Sequence, residues 1–200
     1  MNLSFKQYRA VDLTIMLVML VAAEVIIVVA AGSWFPNEIY VLSPTVAVIC
    51  IVMMRWGPYA AIHAVAGGAA LCIVMGASVQ QFAVYCIGNC FSLLGLVMFR
   101  ALGKERIRSK MTLTALFTLA VFAAVQVGRW AVSLLFGGAP ESIGTFFASD
   151  SLSLLFALVT VQLARRLDGI FEDQKAYLIR TEAQRRREDF PDAGDSEYGE

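Results

Sequence analysis

Six stretches of this chain are apolar and long enough, or nearly long enough, to leave water: Val11–Ala31, Ile39–Met54, Tyr59–Gly76, Val79–Phe99, Met111–Phe136 and Phe146–Leu163. No other feature narrows the fold as much, because a helix crossing a bilayer needs roughly 20 mostly apolar residues. The second stretch is short and leans on Tyr40 and Trp56 as interfacial ends. With 58% of residues hydrophobic, the chain lies above the globular norm, and lipid is the expected solvent. The first stretch does not read as a cleavable signal: its apolar run is too long and lacks a convincing small-x-small cleavage site.

Charge placement orients the stretches, since short loops rich in Lys and Arg stay in the cytoplasm. Lys6 and Arg9 precede the first, Arg55 separates the second from the third, and Arg100, Lys104, Arg106, Arg108 and Lys110 separate the fourth from the fifth. Seven more basic residues follow Leu163, which puts fifteen of the sixteen on one side. The alternate loops, Gly32–Glu38, Ala77–Ser78 and Gly137–Thr145, carry none. The expectation is an all-α integral membrane protein with six transmembrane helices over residues 1–167 and both termini cytoplasmic. Residues 168–200 are expected to be a cytoplasmic extension. Its charged first part should continue the last helix and lie partly along the surface, with Ile170, Phe171, Tyr177 and Leu178 as apolar anchors. The final acidic, Gly- and Pro-bearing segment is expected to be disordered.

Orientation converts sequence position into depth. The only histidine, His63, then lies about one helical turn above the cytoplasmic face. Such a lone histidine is expected to hydrogen-bond a neighbouring helix rather than to hold a ligand. On the same helix Ala60, Ala64, Gly68, Cys72 and Gly76 repeat at every fourth position, and Gly67 widens the groove. Small residues allow close backbone approach where lipid supplies no hydrophobic drive for helices to associate. The ladder fits packing within the chain and docking of a separate membrane subunit about equally well.

The polar residues gather in the outer half. Glu24 lies in the outer half of the first span, Arg129 in the outer third of the fifth, and Gln126 almost a turn before it. The fourth span descends through Gln81, Tyr85 and Asn89, and Asp150 opens the sixth. The loop GSWFPNE adds Trp34, Phe35 and Asn37, with Tyr40 following. A charge in the bilayer costs several kcal/mol unless it is paired or wetted. Arg129 is the one basic residue away from the cytoplasmic side, and Glu24 or Asp150 is its expected counter-ion. An ion pair that only fixes helix register accounts for those charges but not for the amides and aromatics beside them. An outward-opening pocket with aromatic walls and a few convergent polar groups accounts for both. Within it Arg129 would anchor an anionic group, and Gly32 to Asn37 would cover it. Cys86 and Cys90 share a helix face, but without a second pair of ligands or a resolving pair they do not point to a metal, a disulfide scaffold or thiol chemistry. No metal or cofactor is implied, and no GxxxxGK[ST] loop for ATP is present.

Two segments resemble the substrate-binding S components of energy-coupling factor (ECF) transporters. One is MMRWGPYAAIHAVAGGAAL (Met53–Leu71), a Gly-Pro turn followed by a Gly/Ala-rich third helix. The other is FFASDSLSLLFALVTVQLARRL (Phe146–Leu167), with its polar start and basic finish. The likeness spans about residues 11–167. It departs in the first helix, where Ala22, Ala23, Ala30 and Ala31 do not give the Ala-x-x-x-Ala docking spacing and Glu24 intrudes. The resemblance implies a non-enzymatic capture protein for a vitamin-like micronutrient in a bacterial cytoplasmic membrane. Its partners would be an ECF transmembrane T subunit and two cytoplasmic ATPases, with Ala60, Ala64, Gly68 and Cys72 as the docking face. A scaffold of the rod-shape-determining membrane type is similar in size, span number and Gly-rich middle, and would need no outer pocket.

Overall fold

A computed structural model describes residues 5–34 and 41–189. Among them the chain is all-helical. The principal helices are α1 (Phe5–Trp34), α2 (Thr45–Trp56), α3 (Ala60–Val74), α4 (Val79–Cys90), α5 (Leu96–Leu102), α6 (Lys104–Ser109), α7 (Met111–Leu135), α8 (Ile143–Ser149), α9 (Ser151–Arg166) and α10 (Gln174–Asp189). Four helical segments are long and apolar enough to cross a membrane: Phe5–Trp34, Thr45–Val74, Val79–Leu102 and Met111–Leu135. The bent pair Pro140–Ser149 and Ser151–Arg166 makes a fifth.

Thr45–Val74 is helical throughout but folds back on itself. A Cβ added at Gly67 would collide with the Thr45 side chain, a contact possible only if α2 and α3 lie antiparallel. The reversal sits at Gly57, whose φ of 62° favours glycine, followed by Pro58 at the start of a short 3₁₀ turn. The 30-residue segment is therefore a hairpin of two legs.

The other neighbours alternate in direction as well. Asp12 meets Arg55 while Glu24 meets Thr45, so α1 runs antiparallel to α2. Asn89 reaches the carbonyl of Ala64, Gly88 faces Arg129, and Gln162 donates to the carbonyl of Met111. These contacts set α3 against α4, α4 against α7, and α7 against α9. α2 and α3 hold the centre, with Ile49, Met53, Met54, Ala60 and Ala64 buried against Phe117, Val121, Ala157 and Val161. α1 stays at the rim: of its 30 residues only Leu20 and Glu24, one turn apart, are buried, while Val11, Ile15, Val18, Met19, Ile26 and Val29 face outward.

The small-residue ladder lies inside this bundle. Ala60, Ala64, Gly68 and Cys72 are buried within the chain, and a Cβ on Gly68 would lie 2.9 Å from the Tyr85 backbone. That face is taken up by α4 and is not presented to a separate subunit. Gly76 instead ends the helix with φ 63°. His63 is buried, and its Nε2 donates to the Leu13 carbonyl of α1 at 3.2 Å.

The last helix departs from expectation at both ends. It bends by 50° at Asp150, and it stops at Arg166 rather than continuing past the bundle. Gly169, with φ 76°, turns the chain under the base, where Phe171 is fully buried. Arg55 chelates Asp12 through Nε (3.0 Å) and Nη2 (2.6 Å) while its Nη1 donates to the carbonyls of Gly169 and Ile170. Trp56 Nε1 also donates to Asp12. Glu172 pairs with Arg108 at 2.9 Å, and Asp173 with Lys104 at 2.6 Å. Burial alone would raise the Asp173 carboxyl, but Lys104 and the amides of Ala176 and Lys175 outweigh it and hold it below its usual range. The segment expected to be a disordered acidic tail lies, from residue 190 on, outside the described residues.

Gly88 and Gly128 set how closely α4 and α7 approach. A Cβ at Gly88 would lie 2.7 Å from the Arg129 backbone, and one at Gly128 2.6 Å from Phe91. Gly88→Ala or Gly128→Ala should lower stability in equilibrium unfolding in mixed micelles by about 1–3 kcal/mol, the usual cost of overpacking. Gly144→Ala, where a Cβ meets nothing within 4 Å, should stay within about 0.5 kcal/mol of wild type. Equal responses at the three positions would contradict this packing.

Candidate polar site of the bundle

Arg129 projects from α7 toward α4 and the α8–α9 bend, and it is 3% exposed. Its Nη1 meets Asp150 Oδ2 at 2.8 Å, and its Nε donates to Asn89 Oδ1 at 2.9 Å. Gln126, one turn earlier on α7, donates to the same Asp150 oxygen at 2.6 Å. The Tyr85 ring lies 4.6 Å from the guanidinium carbon, a cation–π contact. Asn89 is held in turn by its donation to the Ala64 carbonyl at 3.1 Å. Four residues from α4, α7 and the α8–α9 bend thus surround one charge, and Asp150, not Glu24, is the counter-ion. The chain's bend supplies that carboxylate: Asp150 stands before α9 without capping it, and its side chain turns to Arg129 and Gln126 instead.

Glu24 anchors a second polar group beside the first. Its Oε2 accepts from Ser43 Oγ at 3.0 Å and from Thr45 Oγ1 at 2.9 Å. The Ser43 amide donates to Ser153 Oγ at 2.9 Å, and Ser153 donates to the Val41 carbonyl at 3.0 Å. Ser153 stands three residues beyond Asp150, so hydroxyls and backbone link the two groups across α1, α2 and α9. Glu24 Oε1 is buried and, among the described residues, has no hydrogen-bond partner. An unmatched buried oxygen of this kind costs about 1–3 kcal/mol, more when charged.

Of the residues the sequence points to, Arg129, Gln126, Tyr85, Asn89 and Asp150 form one cluster and Glu24 its neighbour. Gln81 belongs elsewhere. It closes a capping box with Ser78 at the exposed start of α4, its Oε1 accepting from the Ser78 amide at 2.8 Å, so its amide is engaged in starting a helix. Trp34 ends α1 and is 76% exposed, away from the cluster. Gly32 to Trp34, the first half of the expected cover, are the helical end of α1, and Phe35, Asn37 and Tyr40 lie outside the described residues. Ser43, Thr45 and Ser153 were not singled out from sequence. The signal was present in the run LSPT, where two hydroxyls flank a proline at the head of a span. Among the described residues no group of three His, Cys, Asp or Glu side chains is arranged to hold a metal, and the cysteines are free thiols.

No known protein family, curated protein or solved structure matches the chain.

The ion pair predicts coupled costs. Arg129→Gln leaves Asp150 buried without its cation, and Asp150→Asn does the same to Arg129, so each should cost about 3–5 kcal/mol. The double variant should cost less than the two singles together, with a coupling of about 0.5–3 kcal/mol. Strict additivity in equilibrium unfolding would mean that the two charges do not depend on one another.

Proposed function

We propose that this chain is a membrane-embedded capture subunit of a micronutrient importer, binding a small polar molecule in the outer half of its bundle. On this reading the six antiparallel legs each cross a bacterial cytoplasmic membrane, and both termini lie inside. The resemblance to ECF S components, seen in Met53–Leu71 and Phe146–Leu167, supports the class and with it a transmembrane T subunit and two ATPases as partners. The observation that carries the reading is the polar site itself. A guanidinium, two carboxylates, two amides and three hydroxyls converge in the outer half, and one carboxylate oxygen among them has no partner. Capture sites are built in this way, with a few oriented polar groups inside an otherwise apolar wall.

A second reading, a non-transporting scaffold of the rod-shape-determining type, draws on the tightness of the Arg129 group. Its Nε and Nη1 are engaged within the chain, and Gly88 and Gly128 lock the helices around it. A pair that only fixes register would be built in the same way. Because the ladder of α3 is buried, a partner subunit on either reading would have to meet the outward faces of other helices or the cytoplasmic base.

Native mass spectrometry of the chain released from mild detergent separates the readings. Capture predicts a co-purified small molecule on the wild type that is lost from Asp150→Asn while the fold persists. A bare chain that no member of a micronutrient library stabilises would favour the scaffold. The topology is tested with Glu141→Cys and Glu105→Cys in a background without the native cysteines. A membrane-impermeant maleimide should label the first in intact cells and the second only after permeabilisation; the reverse pattern or equal labelling would reject the orientation.

A further inference from the structure

The acidic and basic groups of this site do not match in number. Among the described residues two buried carboxylates, Glu24 and Asp150, face a single cation, Arg129. Arg129 is already engaged: Asp150 holds its Nη1, Asn89 its Nε, and the Tyr85 ring covers its face. Glu24 receives two hydroxyl hydrogen bonds on Oε2 and none on Oε1, and no basic side chain forms an ion pair with it. The position itself is unusual for α1, where every other residue except Leu20 is at least partly exposed. A helix otherwise turned outward buries one carboxylate and leaves one of its oxygens without a partner among the described residues.

We propose that Glu24 binds the cationic N–H group of the captured molecule, so that the substrate class is an organic cation such as an amine or amidine rather than a simple anion. The proposal rests on the capture reading and narrows it. The missing partner of Oε1 is a hydrogen-bond donor, and a positively charged donor also supplies the charge the site lacks. Charge-assisted bonds of this type are about twice as strong as neutral ones. Ser43 and Thr45 complete the arrangement by donating to Oε2, which fixes the plane of the carboxylate and aims Oε1 away from them. An anionic ligand would meet the opposite conditions, with Arg129 neutralised and Glu24 repelling it. The role expected from sequence, Arg129 as an anchor for carboxylate or phosphate, therefore gives way to Arg129 as the group that positions Asp150.

The test uses the full chain in nanodiscs and four shape-related probes at constant sodium: benzamidine and benzylamine as cations, benzyl alcohol as the neutral form and benzoate as the anion. The two cations should bind wild type more tightly than benzyl alcohol, and benzoate least of all. Glu24→Gln keeps the size of the side chain and an acceptor for Ser43 and Thr45. It should weaken the cations at least about tenfold, the loss expected of one charged hydrogen bond, while leaving benzyl alcohol unchanged. Glu24→Asp keeps the charge and should fall between the two. Cations that bind Glu24→Gln as well as wild type, or no better than benzyl alcohol, would overturn the proposal. So would binding led by benzoate, although that result would leave the capture reading standing. A co-purified compound without a basic nitrogen would likewise reject the cation and keep the capture. A chain that carries no compound from the cell and binds none of the four probes would reject both.

Discussion

A guanidinium buried among apolar helices has to be neutralised, and much of this structure follows from how Arg129 meets that requirement. Asp150 neutralises it, which demands that the last leg bend where it does. Asn89 accepts from its Nε, which demands that α4 lie close enough for Gly88 to face the Arg129 backbone. Asn89 is oriented by the Ala64 carbonyl, which draws α3 against α4 through Gly68. The ion pair and the glycines are thus one device. Close approach makes the polar bonds short, and the polar bonds give adjacent helices, which lipid does not press together, a reason to stay in register.

The two ends of the bundle treat buried charge differently. At the base Arg55 is saturated by both oxygens of Asp12 and by two backbone carbonyls, and Glu172 and Asp173 have Arg108 and Lys104. Phe171 is fully buried beneath, and these charged groups are all paired, although Nδ1 of the nearby His63 has no hydrogen-bond partner among the described residues. At the outer end the Arg129 pair is matched but Glu24 is not. An unpartnered buried polar group is more costly than a matched one, and on the capture reading this difference marks the Glu24 end as the binding end.

The sequence made the apolar legs, their alternation and the gathering of Arg129, Gln126, Tyr85, Asn89 and Asp150 legible, because charge and amide side chains are rare in lipid and depth follows from topology. It could not show which carboxylate pairs with Arg129. Glu24 and Asp150 lie at similar depth, and the choice rests on a bend that Ser149-Asp150-Ser151 does not announce. Ser43, Thr45 and Ser153 escaped notice because hydroxyls in a span commonly bond their own helix, so no periodicity marks one that bonds across. Gln81 misled for the converse reason: its depth fitted the site, but a Ser three residues before it recruited it as a cap. The α3 ladder was legible as a groove, yet small residues carry no sign of whether the surface they fit belongs to the same chain. The break after Arg166 was hidden by a helix-prone charged run, which Gly169 and the burial of Phe171 override.

The most direct measurement of the central claim, that the outer polar group is a site for a ligand rather than a register pin, is an experimental structure. The chain would be carried from its own membrane into lipid nanodiscs without any added small molecule. The account predicts compact non-protein density within hydrogen-bond distance of Glu24 Oε1, with the Arg129–Asp150 pair intact beside it. A Glu24 carboxyl satisfied on both oxygens by the chain's own groups, with no such density, would contradict it.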